Sequence, residues 1–455
     1  MTTQNEPAAR FDRDFYRQAL GIGAPIIISN LISLSLNMID TMMIGRLGVQ
    51  ELAAVGAANR IYFVFIIICF GFFSGAGILT SQYWGIRDVV HIRRLAGLQY
   101  VFAGAVAVLT MVVTTLFTAG IMGLFTDEAA VIGFGADYLM IALWSYPLAA
   151  LSCVISFNSR CIHRLAVPTV ISSVAVAANT LLNYCLIYGN LGFPELGVRG
   201  AALATVIARG IEFAAMLAYV YLSRQHPLAG SLSELLSFDR DLVMRVVAKA
   251  LPATVSETAW AAGNSVYYIA FGRIGADAIA VAQVCGIVAD LFQVFFYGVG
   301  NASAVMIGNE LGQSHKDVAY AYARHFLKLS FLLCLVVTGV FYLMLDTIVG
   351  FYDFDAATSA LLYSSLLVYV IYTTPRNLCY TLMIGVLRAG GDATYCMILD
   401  LLGVWCVGVP LAFLGACVLH WQLPAVIALV YIEEAVKTLL CLWRAHSRKW
   451  ASVLI

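Results

Sequence analysis

The chain has 455 residues, of which 62% are hydrophobic and 11% are charged, whereas an average soluble domain carries roughly 25% charged residues. Its 26 Lys and Arg residues balance 26 Asp and Glu residues, so no basic surface favours a nucleic-acid partner. This composition excludes a soluble globular enzyme and indicates a protein that crosses a membrane many times.

Apolar runs recur along the whole chain, and many reach the roughly 20 residues that a membrane-crossing helix needs. Runs such as 61–71 are apolar on every side, which favours helices over the alternating strands of a membrane barrel. The predicted fold class is therefore an all-α polytopic membrane protein. Its twelve predicted transmembrane helices lie near residues 19–44, 52–82, 95–124, 134–157, 168–188, 198–222, 242–271, 278–308, 320–346, 357–386, 394–418 and 424–443.

Lys and Arg residues concentrate in the loops on the side of the amino terminus, and the opposite side has only Arg46, Arg199 and Arg273. Because positive residues near span ends resist translocation, we expect a cytoplasmic amino terminus. An even number of spans returns the carboxyl terminus to the same side. We therefore expect a multi-pass protein of the cytoplasmic (inner) membrane, in contact with lipid and monomeric.

The two halves of the chain are related at an offset of 227 positions. The residues that match without gaps are Pro25, Asn37, Gly45, Arg46, Gly48, Phe65, Gly71 and Gly85 in the first half, and Pro252, Asn264, Gly272, Arg273, Gly275, Phe292, Gly298 and Gly312 in the second. We predict two six-helix lobes, 1–230 and 231–455, related by a pseudo-two-fold axis along the membrane normal. This is a transporter plan, with substrate bound between the lobes and exposed to each side in turn.

Two spans that match in the repeat carry polar residues on one helical face. These residues are Asn30, Ser33, Asn37 and Asp40 in the first span, and Glu257, Asn264 and Tyr267 in the seventh. Amides can simply bond neighbouring helices, at about 0.6 kcal/mol each, but a lone carboxylate in a helix bundle must bind a cation or a proton. We predict Asp40 and Glu257 as coupling residues, because exchange of a coupling cation for a cationic substrate at one carboxylate gives antiport.

Pro25 and Pro252 lie early in the same two spans. Proline removes an intrahelical hydrogen bond, so each is either a hinge that responds to the carboxylate or a static kink. Of the other intramembrane charges, Arg209 with Glu212 and Glu433 with Lys437 are spaced to neutralise each other on one helix. The roles of Asp137, Asp290 and Asp400 stay open.

Four sequence runs resemble the multidrug and toxic compound extrusion (MATE) family of secondary transporters, in its NorM-like branch, over nearly the whole chain. They are IDTMMIGRLG at 39–48, SQYWG at 81–85, NTLLNYCLIYGNLGFPELGVRGAALAT at 179–205 and GVLRAGGDA at 385–393. The resemblance implies export of cationic or amphipathic organic compounds in exchange for H⁺ or Na⁺ by alternating access.

The resemblance also assigns site residues. Asp40 and Glu257 match the helix-1 Asp and the helix-7 Glu of the branch, whereas its helix-10 Asp is Asn377 here. Other branches place an Asp in helix 5 four residues after an Asn, and this chain has Asn179 and Asn183. Gln283 is a candidate hydrogen-bond partner of Glu257. One carboxylate per lobe favours H⁺ over Na⁺, but Asn carbonyls can ligate Na⁺ near Asp40 or Glu257, so both ions stay open.

Three other functions are alternatives to drug antiport. An intramembrane enzyme is disfavoured because no HExxH or GxSxG motif occurs and the eleven cysteines lack metal-ligand spacing, so we expect no catalytic residue, resident metal or cofactor. A lipid-linked oligosaccharide flippase shares the plan but calls for a more cationic cavity. A passive channel is the third alternative.

Overall fold

The computed structural model describes residues 6–125, 128–223, 226–352 and 354–454, with side chains from residue 14 onward except at 49 and 276. Every regular element in these ranges is helical, as predicted. The helices of the first half are α1 (Glu6–Gly45), α2 (Val49–Gly85), α3 (Val89–Gly123), α4 (Ala129–Ala142), α5 (Ser145–Cys161), α6 (Ala166–Tyr188), α7 (Gly197–Leu222) and the single turn α8 (Leu232–Leu235). A 3₁₀ turn, Asn190–Gly192, follows α6.

The second half continues the series with less regular helices. They are α9 (Arg240–Gly272), α10 (Ala276–Gly312), α11 (Lys316–Phe351), α12 (Ala356–Tyr380), α13 (Ala393–Asp400), α14 (Val409–Phe413) and α15 (Leu423–His446). Three π-helical segments continue these helices, at Thr381–Arg388, Leu401–Gly408 and Leu414–Val418. These segments lie in two spans, the one that begins with α12 and the one that contains α13 and α14. Turns of this kind are rare in proteins, and those that occur are often at functional sites.

The twelve predicted spans are confirmed. Among the described residues, nine helices are long and apolar enough to cross a membrane, and α4 with α5 makes a tenth span that bends by 50°. The bend precedes Pro147, which lies in the first turn of α5 and has no amide hydrogen to donate. The remaining two predicted spans correspond to the helices α9 and α15, which carry the charged residues Glu257, Glu433, Glu434 and Lys437.

The contacts divide the described chain into two units. One unit contains Ile28–Thr80 and Arg87–Val247, and the other contains α1 up to Ile27, Ser81–Ile86 and the chain from Ala248 onward. The two units will be called the first and the second unit. The division into 1–230 and 231–455 stays a prediction about the sequence halves.

Each unit has its own apolar core. The core of the first unit surrounds Tyr138 and Ile187 and includes Ile44, one turn beyond Asp40 on α1. The core of the second unit contains Phe292 and Phe341, whose rings stack with centroids 4.5 Å apart. These cores fix the helices that carry the acidic residues described next.

Acids outside the spans cap the ends of two helices. Asp88 accepts a hydrogen bond from the main-chain nitrogen of His91 at the start of α3, and Asp355 accepts from Ala357 and Thr358 at the start of α12. The hydrogen bonds from Thr358 lower the pKa of Asp355. Both acids therefore satisfy helix amides that have no intrahelical partner.

Candidate functional site

Asp40 lies near the carboxyl end of α1 and is half-buried in the first unit. The hydroxyl of Thr180 on α6 donates to its Oδ1 atom at 3.0 Å. The side-chain amide of Asn179 is oriented so that its nitrogen and its oxygen both have hydrogen-bond partners. In this orientation Nδ2 donates to Asp40 Oδ2 at 2.9 Å, and Oδ1 accepts from the main-chain nitrogen of Thr205 at 3.2 Å. The carboxylate is thus held by neutral donors.

Asn183 lies one turn farther along α6, beside the same carboxylate. Its side chain is buried, and its Oδ1 atom has no hydrogen-bond partner among the described residues. The structure therefore brings Asp40, Asn179 and Asn183 together. It leaves one buried amide oxygen ready to accept a hydrogen bond or to contact a cation.

A cavity of about 630 Å³ lies between α1 and α6 in the first unit. The lining includes Leu36 and Met43 on α1, Arg46 directly after α1, and Thr180, Tyr184 and Tyr188 on α6. The volume lies within the roughly 300–1,000 Å³ of sites for drug-sized molecules, and such sites are mostly apolar with a few polar groups. Thr180 lines this cavity and also donates to Asp40, so a single hydroxyl connects the two.

The other residues predicted in the first span lie at exposed or half-buried positions of α1. Asn37 is exposed, and its main-chain oxygen accepts from the hydroxyl of Thr41 at 2.8 Å. Asn30 is half-buried. Pro25 lies within the continuous helix α1, as Pro252 does within α9, so the hinge role of both prolines stays a prediction.

Glu257 differs from the lone acid that the sequence suggested. Its Oε1 atom lies 2.6 Å from Nη1 of Arg388, and the Arg388 side chain is 3% exposed. Arg388 ends the π-helical segment after α12, and its Nη2 atom also donates to Ser256 at 3.1 Å. The two partners are 131 positions apart in the chain, so sequence spacing gave no sign of the pair.

This ion pair continues into a buried charge network in the second unit. Ser256 donates a hydrogen bond to Asp400 Oδ2, and Asp400 Oδ1 accepts from Lys437 at 3.4 Å. Lys437 Nζ lies 2.7 Å from Glu433 Oε1 and 3.2 Å from Glu434 Oε1. The hydroxyl of Tyr267 donates to Glu433 Oε2 at 2.7 Å. Sequence reasoning found the pairing of Glu433 with Lys437 and missed the rest.

The remaining predicted residues of the second unit are not part of this network. Gln283 is exposed, and the hydrogen bond described for Glu257 comes from Arg388 instead. Asn264 donates to the main-chain oxygen of Trp260 at 2.9 Å, within its own helix. Asn377 is buried and donates to the main-chain oxygen of Thr373 in the same way, and its Oδ1 atom has no described partner. Asn377 also lines a cavity of about 10 Å³. That cavity is about the size of one water molecule.

Almost every acid predicted inside the spans has a basic partner. Glu212 pairs with Arg209 at 2.7 Å, as its spacing predicted, and it also accepts from Ser172. The acids whose partners the sequence left open are Asp137 with Arg199 at 3.0 Å, Asp290 with Arg376 at 3.7 Å, and Asp400 with Lys437. Among the described residues, Asp40 is the one intramembrane acid of this set for which no basic partner is found.

Comparisons with known proteins cover most of the chain. The MatE family model matches residues 25–185 and 252–414, and the two matches begin at the offset of the internal repeat. A probable multidrug resistance protein NorM of Bradyrhizobium diazoefficiens is 28% identical over 89% of this chain and 87% of its own. The probable multidrug resistance protein YoeA of Bacillus subtilis is 24% identical over 86% of this chain and 84% of its own.

Solved structures share the fold. The Vibrio cholerae MATE transporter VcmN in its bent form superposes with a TM-score of 0.84 at 19% identity, over 96% of this chain and 97% of that one. A MOP superfamily transporter of Pyrococcus furiosus superposes with a TM-score of 0.86 at 17% identity, over 95% of each chain. The all-helical fold with twelve spans is therefore that of known transporters.

Proposed function

Because the chain belongs to the MATE family, which is a family of transporters and not of enzymes, we propose that it is a multidrug efflux antiporter of the cytoplasmic membrane with both termini in the cytoplasm. It exports cationic or amphipathic organic compounds in exchange for protons by alternating access. The names of the relatives, which are multidrug resistance proteins, support this substrate class.

The observation that carries the proposal is the contrast between Asp40 and the other intramembrane acids. A buried acid that has an Arg or Lys to itself stays ionised, since the partner offsets part of the cost of burying its charge. Asp40 is held by Thr180 and Asn179 and has no described basic partner. A carboxylate in that position is stabilised by a proton when water is excluded and releases it when water returns.

Two features of the site favour a proton over Na⁺ as the coupling ion. The Asn179 amide and the Thr180 hydroxyl both point hydrogens at the carboxylate, whereas Na⁺ needs several oxygen atoms directed at it. The second acid that other branches place on this helix is Asn183 here. One basic atom suffices for a proton, and Asp40 supplies it.

The cavity beside Thr180 gives the substrate a place next to the coupling group. A cationic compound in it would compete with the proton for the Asp40 charge, so that binding of one releases the other. The available free energy is sufficient, at about 2.3 kcal/mol per charge per 100 mV plus about 1.4 kcal/mol per pH unit. We assign Asp40 to coupling, and we assign the Glu257 pair with Arg388 to holding α9 against the end of α12.

The test is dye efflux from liposomes that contain the purified protein, under an imposed pH gradient and, separately, an imposed Na⁺ gradient. We expect efflux with the pH gradient, its loss on addition of an uncoupler, and its loss in Asp40→Asn. Asp137→Asn is the matched control, because this acid lies in the same unit in an exposed pair with Arg199. Efflux that follows only the Na⁺ gradient, or that persists in Asp40→Asn, would overturn the proposal.

A further inference from the structure

Three carboxylates surround the ammonium group of Lys437 in the second unit. Its Nζ atom lies 2.7 Å from Glu433, 3.2 Å from Glu434 and 3.4 Å from Asp400. Glu433, Lys437 and Asp400 are buried, and the Glu434 side chain is 17% exposed. If every group were ionised, this cage of four residues would carry two net negative charges inside the span.

Among the residues that the structure describes, no other group that faces the cage removes this excess negative charge. Tyr267 from α9 and Cys379 from α12 are neutral neighbours. Arg388 belongs to Glu257, with which it makes a pair at 2.6 Å. Two uncompensated charges in a low-dielectric interior are costly, and the usual outcome is that one acid takes up a proton.

The hydrogen bonds show where this proton is needed. Asp400 receives the hydrogen bond of Lys437 and that of Ser256, as expected of the ionised partner. Glu433 Oε1 lies 2.7 Å from Lys437 Nζ, yet no hydrogen bond reaches it in an aligned geometry. Glu433 and Glu434 are adjacent in sequence and both approach the same ammonium group, so a proton on either of them removes their repulsion.

The backbone beside the cage is built to leave room for these side chains. Gly403 and Gly408 lie in the π-helical segment Leu401–Gly408. A Cβ atom at Gly408 would lie 2.0 Å from the Tyr267 hydroxyl and 2.5 Å from Glu433 Oε2, and one at Gly403 would lie 2.9 Å from the Lys437 side chain. A side chain at either position would therefore displace residues of the cage or the Tyr267 hydroxyl that bonds to it.

We infer that the cage of Asp400, Glu433, Glu434 and Lys437 is a second proton-binding site, separate from Asp40, which holds one exchangeable proton on the adjacent carboxylates Glu433 and Glu434. The proton adds to a carboxylate oxygen and leaves from it, so no other reactant takes part. Lys437 occupies the centre of the cage. The inference is independent of the coupling role of Asp40.

The test is infrared difference spectroscopy of the purified protein between mildly acidic and mildly alkaline buffer, carried out in the Asp40→Asn variant so that Asp40 contributes nothing. We expect the C=O stretch of a protonated carboxyl group in this background. Because the proton relieves repulsion between two carboxylates, further substitution by either Glu433→Gln or Glu434→Gln removes the band. Glu212→Gln is the matched control, since Glu212 is a buried acid in an equal pair with Arg209, and it leaves the band in place.

Lys437→Met keeps the test decisive if a glutamine variant does not fold. Removal of the ammonium group leaves three acids without a base, so the band roughly doubles in that variant. An absent band in Asp40→Asn, a band that both glutamine substitutions leave unchanged, or no increase in Lys437→Met would each overturn the inference. None of these results alters the expected loss of efflux in Asp40→Asn, because the readout requires no transport.

Discussion

Gly85 lies directly against the main chain of Asn309, where an added Cβ atom would be 2.1 Å from the carbonyl oxygen. A reciprocal contact also occurs, in which the glycine belongs to the second half of the chain and the carbonyl group to the first. A Cβ atom at Gly312 would be 1.9 Å from the carbonyl oxygen of Gln82. Gly85 matches Gly312, and Gln82 matches Asn309, at the offset of the internal repeat. The ends of α2 and α10 therefore approach more closely than any side chain allows.

We predict that Gly312→Ala lowers the free energy of unfolding by about 1–3 kcal/mol, because the methyl group forces the two helix ends apart. The measurement is the thermal unfolding midpoint of the purified protein in detergent, and Gly85→Ala should behave alike. The control is Gly104→Ala in α3, where nothing lies within 4 Å of the added atom. That variant should melt at the wild-type temperature or slightly above it, since alanine favours helices. Equal midpoints for Gly312→Ala and wild type would contradict the prediction.

The ion pairs of the structure show why some features were predictable from sequence and others were not. Helical periodicity determines neighbours within one helix, so the pairs Arg209 with Glu212 and Glu433 with Lys437 follow from spacing alone. The pair of Glu257 with Arg388 depends on how two helices are aligned along each other. Sequence spacing contains no information on that alignment, which is set by packing and, here, by a π-helical segment.

We predict that Glu257→Gln destabilises the protein by about 3–5 kcal/mol, because it leaves the buried Arg388 guanidinium without its acid. The second substitution Arg388→Met, combined with Glu257→Gln, should restore part of this loss, since no charge then remains unpaired. Unfolding midpoints of the two variants in detergent test this. If Glu257→Gln were as stable as wild type, Arg388 would have another partner and the pair would be of little structural importance.

Stability should also depend on pH through His226, which follows α7 outside the spans and is fully buried. Burial lowers the pKa of His226 to about 4, with a further contribution from Arg164, against an ordinary value near 6.5. Below about pH 6.5 the unfolded chain binds a proton that the folded chain does not, so folding weakens by about 1.4 kcal/mol per pH unit until about pH 4.

We predict that His226→Gln flattens this acid-side loss when unfolding midpoints are measured from neutral to acidic pH. Glutamine offers an oxygen in place of Nδ1, which accepts from the main-chain nitrogen of Leu228 at 3.3 Å in the wild type. The matched control is His446→Gln, at an exposed position. An unchanged pH profile in His226→Gln would show that other groups cause the acid destabilisation.

The choice of coupling ion can be tested by changing the residue beside Asp40 that distinguishes this chain from other branches. Asn183→Asp places a second carboxylate next to the first, which supplies more oxygen ligands and more negative charge. We predict that this variant gains dye efflux driven by a Na⁺ gradient, at least severalfold above that of wild type. The control is Asn37→Asp, which adds the same charge at an exposed site on α1 and should gain none. Efflux by Asn183→Asp that is driven only by the pH gradient would contradict this prediction. It would show that the number of carboxylates at the site does not determine which ion drives transport.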